Sequence, residues 1–438
     1  MTFSAAPTDL HTKMARWYRH RRGAKKTGLY RQHALLEALA LPRPAYPTVH
    51  ITGTNGKTST ALLTAALLRA HGWRTGVYTS PHLTRVNERI QVDGAVISDT
   101  DLSALFDAVD AAALSAARAC GEEPTFFELM TALALLHFAT IGVDAAVIEV
   151  GIGGDTDATN VIDAPVAVIG TVGRDHADQL GNRLVDIAAR KAGIIAESAT
   201  VISGPQPAGV DEVIMARVRR QHAILKRYGH DFRAQITSRT ATGQKIEVSS
   251  PSGEQVHARL PRLGDHHGVN AALAVAASEA ILPTMDYPLS AEVLPLASAR
   301  GRGEMVSRRR GASVWLDGAH NADASRALTD TLRPRYARGD VVAVVAMMGD
   351  KDLATVVETL STAIGTFVLV PLPHARAVAC EELATVVAGC GRTHVHAPDV
   401  GEALRIADTT APVDGAIVVT GSLYLVAEAK RWLAEQGD

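Results

Sequence analysis

Cysteine, aromatic residues and net charge are all scarce in this 438-residue chain. The three cysteines, Cys120, Cys380 and Cys390, are far apart and form no CxxC pair. A disulfide scaffold and a cysteine zinc site are thereby excluded, and a reducing, cytoplasmic setting is expected. Charges nearly cancel, with 44 Lys+Arg against 46 Asp+Glu for a formal −2. A polyanion-binding surface would tilt that balance, so nucleic acid is not expected as the main partner. Apolar runs such as Val341–Met348 fall far short of the roughly 18 residues that span a bilayer. The opening stretch MTFSAAPTDLHTKMARWYRHRRG has no continuous apolar region, so neither a secretory leader nor a membrane association is expected. Aromatics make up only 4%, yet hydrophobic residues reach 47%, which excludes large-scale disorder and leaves a globular enzyme.

At roughly 100–200 residues per domain, the length predicts two or three domains. Residues 10–40 read as helical, and the basic run Arg19–Lys26 reads as a solvated helix end or loop. Thr48–Thr52 reads as a strand, followed by a glycine turn and an apolar helix over Ser59–Ala70. Ala145–Val150 and Val166–Gly170 are further apolar strands, each followed by a loop. Apolar strands alternating with helices predict a parallel sheet covered on both faces. Residues 230–260 alternate apolar and polar positions and predict an antiparallel hairpin or meander. A helix at Asn270–Ala280 and a linker at Leu282–Ala299 follow. A second α/β pattern then places strands at Val314–Leu316, Val341–Met347, Phe367–Val370 and Ile417–Val419.

The sharpest local feature is Gly53-Thr54-Asn55-Gly56-Lys57-Thr58, set between a strand and a helix. Backbone N–H groups in such a loop cradle phosphate oxygens, and the helix N-terminus adds a favourable dipole. Lys57 can reach the β/γ-phosphates, and the Thr58 hydroxyl is placed to ligate Mg²⁺. The spacing G-x-x-G-K-T is two residues shorter than the usual phosphate loop. Glu149 ends an apolar strand, a position suited to a metal-holding carboxylate. The GIGG after it lacks the third glycine of a dinucleotide fingerprint, Thr156 standing there, so ATP is expected rather than NAD.

Further pieces stand in order: VYTSPHLTRVNERI (77–90), TFFE (125–128), EVGIGGDTDATNV (149–161), RDHADQLG (174–181), ARKAGII (189–195), GDHHGVNAALA (264–274), GRGE (301–304), LDGAHN (316–321), GDKD (349–352) and VTGSLYL (418–424). With HITGTNGKTST (50–60), they resemble the folylpolyglutamate synthase/dihydrofolate synthase family of the Mur ligase superfamily, from about residue 26 to 428. The resemblance implies an α/β architecture: a phosphate-loop ATPase domain with a parallel, helix-covered sheet and a β-rich insertion over 1–297, and a smaller Rossmann-like domain over 298–438. It implies an amide ligase. ATP phosphorylates a carboxylate, an amino acid's amine attacks the acyl phosphate, and ADP and phosphate leave. The implied substrates are dihydropteroate or reduced folates with L-glutamate.

By the same resemblance, Thr54, Asn55, Gly56, Lys57, Thr58, Asn270, Arg302 and Asp317 bind ATP, although Asn270 could instead cap a helix. Thr58, Ser80, Glu149 and His176 hold Mg²⁺, with Lys191 in the same metal set once carbamylated, two ions being implied, with room for a monovalent cation. Lys191 aligns with a carbamylated lysine and completes a catalytic set of Lys57, Glu149, His176 and Lys191. Gly28, Leu29, His82, Thr125, Phe126, Phe127, Glu128, Thr156, Asp157 and Ala158 fall on the acid-substrate site. Phe126 and Phe127 could stack on a planar ring or pack the core. His320 and Ser422 receive the amino acid or serve as structural loop residues. A monomer is implied.

Four places depart from the family pattern. Asp155 stands where the family carries arginine, Arg190 where it carries glutamate, His267 where it carries glutamine, and Ala299–Arg300 where it carries tryptophan–proline. The first reverses a charge beside the acid site. Asp155 and Arg190 together keep open a paralogous ligase that joins an amino acid to a non-folate carboxylate.

Overall fold

The computed structural model describes residues 9–19, 28–41, 43–306 and 311–436. The basic run Arg19–Lys26 lies, beyond Arg19, outside the described residues, and so does the first part of the opening stretch. The helical reading of 10–40 resolves into two helices, Asp9–Trp17 and Tyr30–Ala38.

The first sheet has eight strands in the order Ala95–Val96, Ile90–Val92, Thr75–Tyr78, Ala145–Glu149, Thr48–Thr52, Val166–Ile169, Thr200–Ser203, Ile224–Arg227. It is parallel as expected, apart from an antiparallel edge made by the first two strands. Thr48–Thr52 and Ala145–Glu149 are buried along their whole length, the signature of strands covered on both faces. On one face lies Phe126–Ile141, which begins in a capping box between Thr125 and Glu128 and ends at Gly142 in the left-handed conformation. Its Phe138 ring sits on Gly76, where a Cβ would be 2.7 Å away. A side chain on that strand would therefore force sheet and helix apart.

The alternating segment forms the expected meander, Arg233–Arg239, Gln244–Ser249 and Gln255–Leu260, antiparallel throughout. Its inward residues Ile246, Val248, Val256 and Ala258 pack with the small side chains of the helix Asp265–Ile281. The second sheet runs Glu304–Val306, Ser313–Leu316, Ala416–Thr420, Val341–Val345, Thr366–Leu369, Thr393–His396 and is parallel beyond its first strand. Val341, Ala343 and Val345 feed one core, while Val342, Val344 and Ala346 feed the other. Both faces are thus covered. Among the described residues, no helix is long and apolar enough to cross a membrane.

The expected linker at Leu282–Ala299 is corrected by the structure. It holds a helix, Tyr287–Val293, whose first turn is capped by Asp286 accepting from the Leu289 N–H at 2.9 Å. A capping aspartate and a proline at the helix start are helix signals that outweigh the composition of the stretch. Leu294 just beyond is 0% exposed, whereas Leu296 is 77% exposed. Leu294→Ala is expected to cost about 2–5 kcal/mol in denaturant unfolding. Leu296→Ala should stay within about 0.5 kcal/mol; equal small effects would restore the linker reading.

Candidate active site

The strand Thr48–Thr52 delivers the chain into Gly53 at φ +154°, where a Cβ would lie 3.1 Å from the Gly170 Cα. Gly56, at φ +81°, precedes the helix Lys57–Ala70, and a Cβ there would meet Asn270 Oδ1 at 2.4 Å. Only glycine fits either corner, so the loop closes into a cradle. The Thr54 hydroxyl exchanges hydrogen bonds with Gly173, accepting from its N–H at 2.8 Å and donating to its carbonyl at 3.0 Å. Lys57 folds over the cradle and donates to the carbonyls of Gly53 and Thr54 at 3.0 and 3.1 Å. Burial lowers its pKa, against the opposing charges of Glu149 and Asp175.

The structure brings three of the expected metal residues together. Thr58 Oγ1 donates to both Glu149 oxygens at 2.9 Å, and the Ser80 N–H donates to Oε2 at 3.1 Å. Burial pushes the Glu149 carboxyl upward, partly offset by Lys57 and these hydrogen bonds. A hydroxyl and a buried carboxylate at the mouth of a phosphate cradle are the hard-oxygen donors that Mg²⁺ favours. His176 lines the same cavity, and burial takes its imidazole down to about 4. Among the described residues, no three His, Cys, Asp or Glu side chains converge on one metal position. Lys191 does not line the cavity; buried beneath it, its ammonium donates to the Gly53 carbonyl at 2.8 Å.

That cavity, of about 850 Å³, runs between the two sheets. Asn270, Arg302, Asp317, His320 and Ser422 all line it. Asn270 stands within the helix Asp265–Ile281, five residues past its start, so it does not cap that helix. Asp317 accepts from the Gly303 N–H at 2.6 Å, which fixes the segment carrying Arg302. The carboxylate of Asp175 closes the seam. It accepts from Lys351 Nζ at 2.6 Å and Asn321 Nδ2 at 3.0 Å, with His320 Nε2 at 3.5 Å. Asn321 also exchanges amide hydrogen bonds with Asn55 of the cradle, at 3.1 and 3.2 Å. Burial opposes the Asp175 charge, yet His320, His176 and Lys351 outweigh it and hold the carboxyl well below the usual range.

At the opposite end, Gly28, Thr125, Phe126, Phe127, Glu128, Thr156, Asp157 and Ala158 line the cavity, while Leu29 and His82 do not. Glu128 serves structure as well: it caps Thr125 and pairs with buried Arg31 at 3.1 Å. Phe126 carries Tyr18 stacked at 4.6 Å and the Arg89 guanidinium at 5.4 Å. Asp155 pairs with Arg190 at 2.7 Å, and the Asp155 N–H donates to the Arg190 carbonyl at 2.9 Å. Two of the four expected departures from the family pattern thus fall on one ion pair. Asp175, Asn321, Lys351 and Arg89 stood within the sequence motifs without an assigned role, and Arg31 stood outside them; only their contacts reveal them.

Residues 51–278 match the Mur ligase middle domain, and residues 301–423 the Mur ligase glutamate ligase domain. The dihydrofolate synthase/folylpolyglutamate synthase of Mycobacterium tuberculosis is 35% identical over 372 residues, 81% of this chain and 76% of the relative. The folylpolyglutamate synthase of Lacticaseibacillus casei is 32% identical over 93% of this chain and 95% of its own. Among solved structures, M. tuberculosis folylpolyglutamate synthase complexed with ADP superposes with a TM-score of 0.89 at 33% identity, covering 97% of this chain and 98% of that one. E. coli FolC in complex with DHPP and ADP superposes at 0.87 with 28% identity, over 100% of both chains.

Two outcomes test the geometry. Asp155→Arg or Arg190→Glu alone should raise the KM for the acid several-fold by putting like charges together, and the double swap should restore it. Being half-exposed, the pair should contribute under about 1 kcal/mol to stability; a double variant no better than either single would contradict the pairing. The second concerns pH. Burial takes both His176 and the wholly buried His50 from 6.5 to about 4. The unfolded chain therefore binds more protons below pH 6.5, so their contribution is full above 6.5 and lost as pH falls toward 4. Thermal midpoints should drop across that window, and His50→Gln should flatten the slope.

Proposed function

The chain belongs to the folylpolyglutamate synthase/dihydrofolate synthase family of Mur-type ligases, and from that membership we propose that it joins L-glutamate to a pterin-bearing acid, driven by ATP. The observation that carries the reading is one cavity lined by a phosphate cradle at its centre, an acid pocket on one side, and Asp317, His320, Lys351 and Ser422 of the second sheet on the other. A substrate carboxylate attacks the γ-phosphoryl group and ADP departs. The amine of L-glutamate then displaces phosphate from the acyl phosphate, leaving an amide.

Crowded phosphate charge needs placed cations more than a strong nucleophile. Lys57 answers the β/γ-phosphates, Arg302 a further phosphate, and the cradle N–H groups the remainder. Asn270 meets the adenine side and Asp317 positions the nucleotide. Thr58, Ser80, Glu149 and His176 would hold Mg²⁺, which supplies charge neutralisation and in-line orientation when bound. Lys191, buried against Gly53, is assigned as the carbamylated lysine that supports this set. Gly28, Phe127, Thr156, Asp157 and Ala158 receive the pterin end. Arg376, a cation on the cavity wall, suits a carboxylate of glutamate beside His320 and Ser422.

Asp155 is paired with Arg190, so its charge is compensated locally, which supports a folate acid over a non-folate one. We divide the chain at residue 298, with 1–297 handling ATP and the acid and 298–438 the amino acid. One chain builds the whole cavity, which supports a monomer, and three free cysteines support a cytoplasmic enzyme. The test is ADP release with L-glutamate and dihydropteroate, tetrahydrofolate or neither. Release dependent on a pterin acid is expected. Acid-independent hydrolysis, or turnover only with an unrelated acid, would overturn the reading.

A further inference from the structure

Two arginines line the acid end of the cavity, and the protein treats them differently. Arg31 is neutralised within the fold, forming ion pairs with Glu128 at 3.1 Å and Glu122 at 2.7 Å. Arg89 is as deeply placed, 8% exposed, yet among the described residues no carboxylate lies within ion-pair reach of it. Its partners are neutral. Nε donates to His82 Nδ1 at 2.9 Å, and the guanidinium lies 5.4 Å from the Phe126 ring centroid and beside the Tyr78 phenol.

In that bond the imidazole Nδ1 is the acceptor, so the contact leaves the guanidinium charge uncompensated. A buried guanidinium without a counter-ion is costly unless something that enters the cavity supplies the charge. Its surroundings are fixed independently of any ligand. The Arg89 carbonyl accepts from the Thr79 N–H at 2.9 Å, so the residue is bound to the strand end that runs on into Ser80. Phe126 is braced by Tyr18 from the N-terminal side of the chain. The forked donor therefore stands on a rigid wall between the expected pterin pocket and Ser80.

We propose that Arg89 anchors a carboxylate of the acid substrate, a role that rests on reading this cavity as the acid site. Two carboxylates share the required chemistry: the group that is phosphorylated, and the α-carboxylate of a glutamyl tail, which dihydropteroate lacks. His82 and Phe126 then act as positioning residues, the first by holding Nε and the second by packing beneath the guanidinium plane.

The experiment is steady-state kinetics of wild type, Arg89→Lys and Arg89→Gln, with dihydropteroate and with tetrahydrofolate, determining KM separately for acid and for ATP. Arg89→Gln is expected to raise the acid KM on the order of 10- to 100-fold, the scale of a lost charged hydrogen bond, and to leave the ATP KM unchanged. Arg89→Lys should fall between, keeping charge but losing the fork. A rise with both acids assigns the anchor to the reacting carboxylate, and a rise with tetrahydrofolate alone assigns it to the α-carboxylate. An unchanged acid KM, or acid and ATP values rising together, would overturn the anchor. Should Arg89→Gln not fold, by its thermal midpoint, the lysine variant carries the same comparison. Wild type silent with both acids would instead sink the proposed function, and the anchor with it.

Discussion

Neither sheet holds a complete site, and the contact that makes one of two is the carboxylate of Asp175. It comes from the loop after Val166–Ile169 and binds Lys351 and Asn321 of the second sheet. Asn321 in turn holds Asn55 in the cradle. A buried ion pair of this kind contributes little net stability, because desolvation offsets attraction, but losing one partner costs about 3–5 kcal/mol. Its value here is register. The cradle and the LDGAHN loop are fixed face to face, and the cavity between them is a consequence.

The same logic orders the acid end. The capping box at Thr125 and Glu128 starts the helix that carries Phe126 and Phe127, and Arg31 secures Glu128 from the other side. Gly154 lies against the Arg190 and Lys191 carbonyls, where a Cβ would approach to 2.8 Å. The Asp155–Arg190 pair closes over that junction and thereby ties the loop bearing Thr156, Asp157 and Ala158 to the helix bearing Lys191. Sheet, loop and lysine are thus positioned as a single unit.

Much of this was legible in the sequence where the chemistry is local. A phosphate cradle needs glycines at the corners of a loop before a helix, and Glu149 follows from a carboxylate at the end of an apolar strand. Both sheets showed in runs such as Val341–Met347, which the structure shortens to Val341–Val345. What escaped reading depends on contacts between distant residues: Asp175 and Lys351 are 176 positions apart, and neither side alone signals the pair. The helix Tyr287–Val293 was read as linker because its prolines were weighed as breakers, although one stands at the helix start behind a capping aspartate. The polar edge strand Thr393–His396 has no apolar run to announce it. Arg89 was visible in a motif, but its burial without a counter-ion was not.

The central claim is that one cavity brings the γ-phosphate of ATP onto the carboxylate of the acid. Isotope tracing tests it most directly, using an acid labelled with ¹⁸O in the reacting carboxylate, together with ATP and L-glutamate. Transfer through an acyl phosphate predicts that each amide formed leaves one labelled oxygen in the released phosphate. Amide formation with unlabelled phosphate would contradict the account.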